Sequence, residues 1–246
     1  MSRKKYNIRE ESFDMKTIIL EKEVCLQQAA DRITALLAKK PDAVLAFSTG
    51  RTMGDLFAVL AARCAEGALS LKDARIFAVT EFENVEEEQS ARGQLLRELA
   101  GRTDLREENC HFLSVETAED YDAQIARCGG LDMAVLGLGV NAHVGYNEPA
   151  VPFDSLTHRQ KLTDKTRAQL ASSFSSAEAA PAYAWTMGIK TLVAARQILV
   201  LAFGEEKAWA VFQMLYARDD SVIPAAFLQL PPEVMVFVDP AAAAKL

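Results

Sequence analysis

The sequence predicts an α/β fold: a single domain with an open parallel sheet and helices on both faces. Two observations carry this. Short, wholly apolar runs, the mark of strands buried on both faces, alternate almost throughout with segments whose apolar residues recur at helical spacing. The chain has 246 residues, half of them hydrophobic and a quarter charged, which suits one large domain with a sizeable core. No internal repeat and no linker rich in Pro, Gly or Ser divides it.

The elements follow in order. The first fourteen residues, with RKK and EES and little apolar pattern, read as a flexible leader, so that the domain spans 15–246. TIIL marks a strand within Lys16 to Leu20. Val24, Leu26, Ala29, Ile33 and Leu37 give Lys22 to Leu37 the spacing of a helix, which Pro41 stops. Ala43 to Phe47 (AVLAF) is a buried strand that runs into Ser48-Thr49-Gly50-Arg51-Thr52, and a helix is expected from about Met53 to Ala65. Arg75 to Val79 is a strand, and Glu88 to Ala100 and Ala118 to Cys128 are helices, the latter ended by Gly129 and Gly130. Leu131 to Leu136, Gln197 to Phe203 and Val234 to Val238 complete the strands, with a helix at Glu205 to Ala217. The stretch Ser172 to Ala180 (SSFSSAEAA) is the best candidate for a mobile segment.

Composition narrows the function. A net charge of −7 disfavours binding to a phosphate backbone, so no nucleic-acid partner is expected. No apolar run approaches the ~20 residues of a membrane-spanning helix, and Met1 to Met15 lacks the apolar core of a secretory signal. Cys25, Cys64, Cys110 and Cys128 are widely and irregularly spaced, which reads as reduced thiols of a cytoplasmic protein. Three histidines and no paired cysteines make a zinc site an unfavoured reading.

In a Rossmann-like sheet, ligands bind beyond the carboxyl ends of the strands. Three loops leave those ends with distinctive chemistry. Ser48–Thr52 combines hydroxyls, a glycine, an arginine and a helix N-terminus, the parts of a phosphate site. The plainer reading is an N-cap formed by Thr52. Gly137–Pro149 holds His143 and Glu148, five residues apart. A carboxylate beside an imidazole fixes its tautomer and raises its basicity. The third loop is Thr80–Glu83.

Together these segments resemble the glucosamine-6-phosphate deaminase/isomerase family, which shares its fold with the 6-phosphogluconolactonases. The resemblance rests on TG-x-T after the early strand and on G-x-G-x-[DN]-x-H-[hydrophobic]-x-x-N-E-P after the middle one. It extends from about Lys16 to Asp239 and includes Leu201 to Ala208. KPDAV, GGLDMAVLGLGVNAHVGYNEP and IPAAFLQL place it nearest the galactosamine-6-phosphate isomerase branch. The resemblance implies ring opening of an amino-sugar phosphate by His143 with Glu148 as its orienting partner. Proton transfer between C2 and C1 and loss of ammonia follow. Asn141 stands where glucosamine enzymes carry Asp and is expected to orient His143. The phosphate is expected on Thr49, Gly50, Arg51 and Thr52, held by Lys207. No metal or organic cofactor is implied. The expected partner is a small-molecule sugar phosphate, and a homo-oligomer stays open.

The chain also departs from the family. Thr80 occupies the position of the usual proton-transferring Asp, so Glu81, or else Glu83, would have to serve as a displaced base. Alternatively, the protein binds sugar phosphates and turns them over poorly or not at all. Ala142 replaces a glycine and is expected to tighten its loop. Leu170 to Phe174 lacks the Arg that precedes a Phe in glucosamine enzymes. Arg51 either replaces that charge or faces solvent. A 6-phosphogluconolactonase is the weaker enzyme reading, because the Asn147-Glu148-Pro149 tripeptide is present and the lactonase Asp-Glu-Arg is not.

Overall fold

A computed structural model describes residues 15–171, 173, 174, 176, 178–218, 222–231 and 233–246. The expected leader lies outside the described residues, as do positions 172, 175 and 177 of the expected mobile segment. The core is a seven-stranded, all-parallel sheet. In chain order its strands are β1 (Lys16–Ile19), β2 (Val44–Phe47), β3 (Arg75–Ala78), β5 (Cys110–His111), β6 (Met133–Gly137), β9 (Gln197–Ala202) and β10 (Val234–Val238). Across the sheet they run β1-β10-β9-β6-β2-β3-β5. β2, β6, β9 and β10 are nearly or wholly buried, as parallel strands covered on both faces must be. Two apolar layers sandwich the sheet. One is built on α1 (Lys22–Lys39) and α2 (Arg51–Ala65). The other includes α4 (Ala118–Arg127), α6 (Ile189–Val193) and α7 (Ala208–Tyr216).

Strand order reverses between β2 and β6. The chain moves outward from β2 through β3 to β5, then returns to the other side of β2 with β6. The loops after β2 and β6 therefore leave the sheet side by side, at the topological switch point where α/β folds bind ligands. The loop after β9 is the next neighbour, since β9 pairs with β6.

Several expectations are corrected. Thr80–Glu83 is not a loop: Thr80–Phe82 forms β4 of a second, antiparallel sheet with β8 (Tyr183–Thr186) and β7 (His158–Lys161). Val79 joins the two sheets. Its N–H donates to Phe47 of the large sheet, and its carbonyl accepts from Met187 just after β8. The signal was missed because β4 has three residues and β7, His-Arg-Gln-Lys, has no apolar alternation. The helix α5 (Asp164–Leu170) was also missed; Thr163 caps it, its hydroxyl accepting from the Thr166 N–H. The helix expected over Glu88 to Ala100 is broken into a 3-10 turn (Glu87–Gln89), α3 (Ala91–Gln94), a π segment (Leu95–Leu99) and a further 3-10 turn (Ala100–Arg102). Among the cysteines, all reduced, Cys25 is buried and the other three are half-buried.

Candidate active site

The loop after β2 ends in Gly50, whose φ of 106° lies in a region that glycine enters without penalty. α2 starts at Arg51, so Thr52 lies inside its first turn rather than capping it. Gly50 has no side chain to cap the helix, and the first-turn amides point outward with no intrahelical acceptor. Ser48 adds a hydroxyl that is buried and without a hydrogen-bond partner. Gly50 itself does not offer its amide. The Gln94 side chain takes the Gly50 N–H at 2.7 Å and returns a hydrogen bond to the Gly50 carbonyl at 3.1 Å. Glu98, in the π segment, accepts from the Gln94 amide at 2.9 Å. Gly54 leaves room for this pair, since an added Cβ would lie 2.7 Å from the Glu98 carboxylate. Gln94 thus fixes the turn that the sequence assigned to the ligand, a role no local motif announces.

Lys207 stands in the turn after β9 and sends its ammonium to the Leu138 carbonyl, 2.7 Å away, in the loop after β6. Burial lowers its pKa; the Glu206 carboxylate opposes this, and the Arg51 guanidinium adds a smaller lowering. Lys207, in the turn after β9, and Arg51, at the start of α2, therefore bring two cations to the same end of the sheet. The exposed side chain of Arg51 is close enough to be felt by Lys207. An anion held at this end of the sheet would be attracted by both.

The loop after β6 carries the acid–base groups. Asn141, His143 and Glu148 are all buried, Glu148 to 2% exposure on its side chain. The Asn141 amide donates to Glu148 Oε2 at 2.8 Å, and its carbonyl oxygen accepts the backbone N–H of His143 at 3.3 Å. Asn141 therefore orients Glu148 and the loop rather than the imidazole ring, which corrects the expected contact. The backbone N–H and hydroxyl of Thr163 donate to Glu148 Oε1 at 3.2 and 3.3 Å. His143 Nδ1 lies 4.0 Å from Glu148 Oε2 and 3.4 Å from the Thr166 hydroxyl. Thr163 and Thr166, from the cap and first turn of α5, are site residues that the sequence did not reveal. Ala142 adopts a φ of 61° in this loop, strained for a residue with a Cβ.

Burial pushes the His143 pKa down, Glu148 opposes this, and Lys207 adds to it. The imidazole is neutral, the form that can accept a proton from a sugar hydroxyl. A histidine whose folded pKa lies below the ordinary 6.5 contributes fully above 6.5 and progressively less as the pH falls toward the folded value. Urea unfolding from pH 7 downward should therefore show stability falling faster in the wild type than in His143→Gln, by up to about 1.4 kcal/mol per pH unit.

Gly139 explains the glycine two residues beyond Gly137. An added Cβ at Gly139 would sit 2.4 Å from the His143 ring, so the imidazole lies directly against this backbone. Gly139→Ala should displace the ring, costing about 1–3 kcal/mol of stability through overpacking. A steady-state assay should show a larger loss in kcat than in KM.

β4 supplies the wall opposite. Phe82 packs on Tyr146, ring centroids 5.3 Å apart, and on Phe174 at 5.3 Å. Tyr146 lies 5.8 Å from His143. Thr80 shares Phe82's face of the strand. Its cross-strand partner Thr186 turns the same way, accepting the Tyr146 N–H at 3.1 Å. Thr80 therefore faces the His143 loop, and Glu81 faces away. Both oxygens of Glu81 are engaged by backbone amides: Phe82 and Ala91 on Oε1, at 2.8 and 2.9 Å, and Arg92 on Oε2, at 2.9 Å. Glu81 closes the start of α3, and this geometry does not present it as the displaced base. Glu83 is no better placed, being held at 2.6 and 2.9 Å by Arg159, which keeps its carboxyl below the usual range.

Comparison with known proteins agrees with this architecture. The family model for glucosamine-6-phosphate isomerases/6-phosphogluconolactonase matches residues 21–236. The chain is 35% identical to a glucosamine-6-phosphate deaminase of Lysinibacillus sphaericus, over 85% of this chain and 91% of that one. It is 36% identical to one of Rhodopirellula baltica, over 93% and 94%. Among solved structures, a monomeric glucosamine-6-phosphate deaminase superposes with a TM-score of 0.90 at 29% identity, covering 94% of this chain and all of the other. The 6-phosphogluconolactonase of Trypanosoma brucei, at 17% identity and a TM-score of 0.77 over 96% of this chain and all of its own, shares the fold. By sequence and by fold alike, this chain belongs to the glucosamine-6-phosphate isomerase/6-phosphogluconolactonase family.

Proposed function

We propose that this chain is an amino-sugar-phosphate deaminase/isomerase that opens the ring of a hexosamine 6-phosphate, moves a proton between C2 and C1, and releases ammonia. The observation that carries this reading is the buried His143–Glu148 pair, in the loop to which Lys207 is bonded, on the same end of the sheet as an uncapped helix start. In this reading the phosphate rests on the first turn of α2, with Thr49, Arg51, Thr52 and Lys207 around it. Gly50 contributes the turn, and Ser48 offers a further hydroxyl. His143 exchanges protons with the anomeric hydroxyl and the ring oxygen, with Glu148 and Thr166 fixing its orientation and Asn141 holding Glu148 and the loop. Glu81 acts only as a helix cap. A cytoplasmic location belongs to the same reading; no helix among the described residues is long and apolar enough to cross a membrane.

The finer substrate assignment is galactosamine 6-phosphate, with tagatose 6-phosphate and ammonia as products. It is supported by the resemblance of KPDAV, GGLD and IPAAFL to that branch, whereas the relatives above are named for glucosamine 6-phosphate. The test is release of ammonia and ketose phosphate by the purified protein from each sugar. A higher kcat/KM on the galactosamine epimer supports the assignment, and a higher value on glucosamine reverses it. Release from neither sugar removes the deaminase reading.

Lys207→Ala probes the phosphate site. A charge-assisted hydrogen bond is worth roughly 1.5–3 kcal/mol, so titration should show sugar-phosphate affinity weakened by about one to two decades. Unchanged affinity would remove Lys207 from the site.

A further inference from the structure

We infer that this chain is a hexosamine-6-phosphate mutarotase before it is a deaminase: its site opens and recloses the sugar ring many times for each proton moved at C2. The inference rests on the proposed function and adds an activity to it.

The two halves of the reaction need different groups. Ring opening needs one site that handles protons at the anomeric hydroxyl and at the ring oxygen. His143 takes the proton from O1–H, the C1–O5 bond breaks, O5 gains a proton, and C1 becomes an aldehyde. Rotation about C1–C2 and reclosure on the other face return the protons and give the opposite anomer. Nothing is oxidised or reduced, and no co-reactant is consumed. The parts for this step are intact: His143 lies against Gly139, the Thr166 hydroxyl is at its Nδ1, and Glu148 is held by Asn141 and Thr163.

Isomerisation needs a second base that removes the proton from C2. The face of β4 turned toward the His143 loop carries Thr80 and Phe82, and a hydroxyl and a phenyl ring are not bases near neutral pH. The surrounding carboxylates are committed elsewhere. Glu81 lies on the opposite face under three backbone amides. Glu83 is clamped by Arg159. Glu206 packs back onto Gly204 beside Lys207, where an added Cβ would meet its Oε2 at 2.5 Å. Glu148 serves His143. A positioned general base contributes about 10²–10⁴-fold, so its absence slows the second half and leaves the first untouched.

The experiment is exchange NMR between the α and β anomers of glucosamine 6-phosphate and of galactosamine 6-phosphate, with wild-type protein in D2O. Ammonia is measured in the same samples. The expected result is anomer exchange accelerated above the protein-free rate and exceeding ammonia release by at least about 100-fold, with the C2 proton retained. Ammonia release or C2 deuteration that keeps pace with anomer exchange would overturn the inference and leave the proposed function standing. Absence of accelerated exchange would also overturn it; if ammonia release is absent too, the proposed function falls with it. His143→Asn, checked for retained sugar-phosphate binding, should return exchange to the protein-free rate. Retained exchange would place ring opening on another group and overturn the assignment. Should that variant not fold, the wild-type ratio alone decides.

Discussion

Replacing His143 with glutamine is expected to slow ring opening of hexosamine 6-phosphates by about 10²–10⁴-fold, the usual worth of a positioned acid–base group. Glutamine can fill the space and hydrogen-bond toward Thr166, but its amide cannot shuttle a proton between O1 and O5. The pocket should tolerate it. The position is buried, an amide carries no charge to desolvate, and a neutral imidazole is what it replaces. The loop's own bonds also survive, since Asn141 contacts the backbone of residue 143 and Glu148 rather than the ring. Anomer-exchange NMR with closed-ring substrate, together with a binding titration, checks this. Binding should persist while the exchange rate collapses. Wild-type exchange would make His143 a packing residue held by Gly139, and loss of binding together with exchange would mean that the loop itself had collapsed.

The contrast between what the chain announces and what it conceals follows from the range of the forces involved. The parallel sheet was legible because each of its longer strands is buried on both faces. AVLAF and QILVLAF cannot be mistaken for surface segments, and only the ends shifted. The loop from Gly137 to Pro149 was legible because its residues act within one turn of chain. The small antiparallel sheet was not, because β4 and β7 are held by pairing to β8 rather than by a pattern of their own. The same holds for site residues that arrive from elsewhere. Thr166 reaches His143 across 23 positions and Gln94 reaches Gly50 across 44, and nothing in either local sequence marks the contact. Glu81 shows how proximity in sequence misleads. It is next to Thr80, yet strand alternation turns it to the other face, where the start of α3 captures it.

That geometry makes Thr80→Asp the more informative substitution, with an expected gain of about 10²–10⁴-fold in ammonia release. Thr80 and Asp are similar in size. The side chain at this position faces the His143 loop beside Phe82, so a carboxylate here would sit across the cleft from the imidazole. Its cost is desolvation, since the residue is 6% exposed. Burial raises a carboxylate's pKa, which toward neutrality improves a base as long as it stays ionised at the assay pH. Ammonia release measured alongside urea unfolding separates a chemical gain from a loss of folded protein. A large gain shows that the wild-type site lacks its C2 base. No gain, with activity lost in Glu81→Gln or Glu83→Gln, shows that a neighbouring carboxylate leaves its present bonds when substrate binds and takes up the role. If all three variants match a measurable wild-type rate, the proton leaves C2 by neither route, and the part assigned to β4 in this site is wrong.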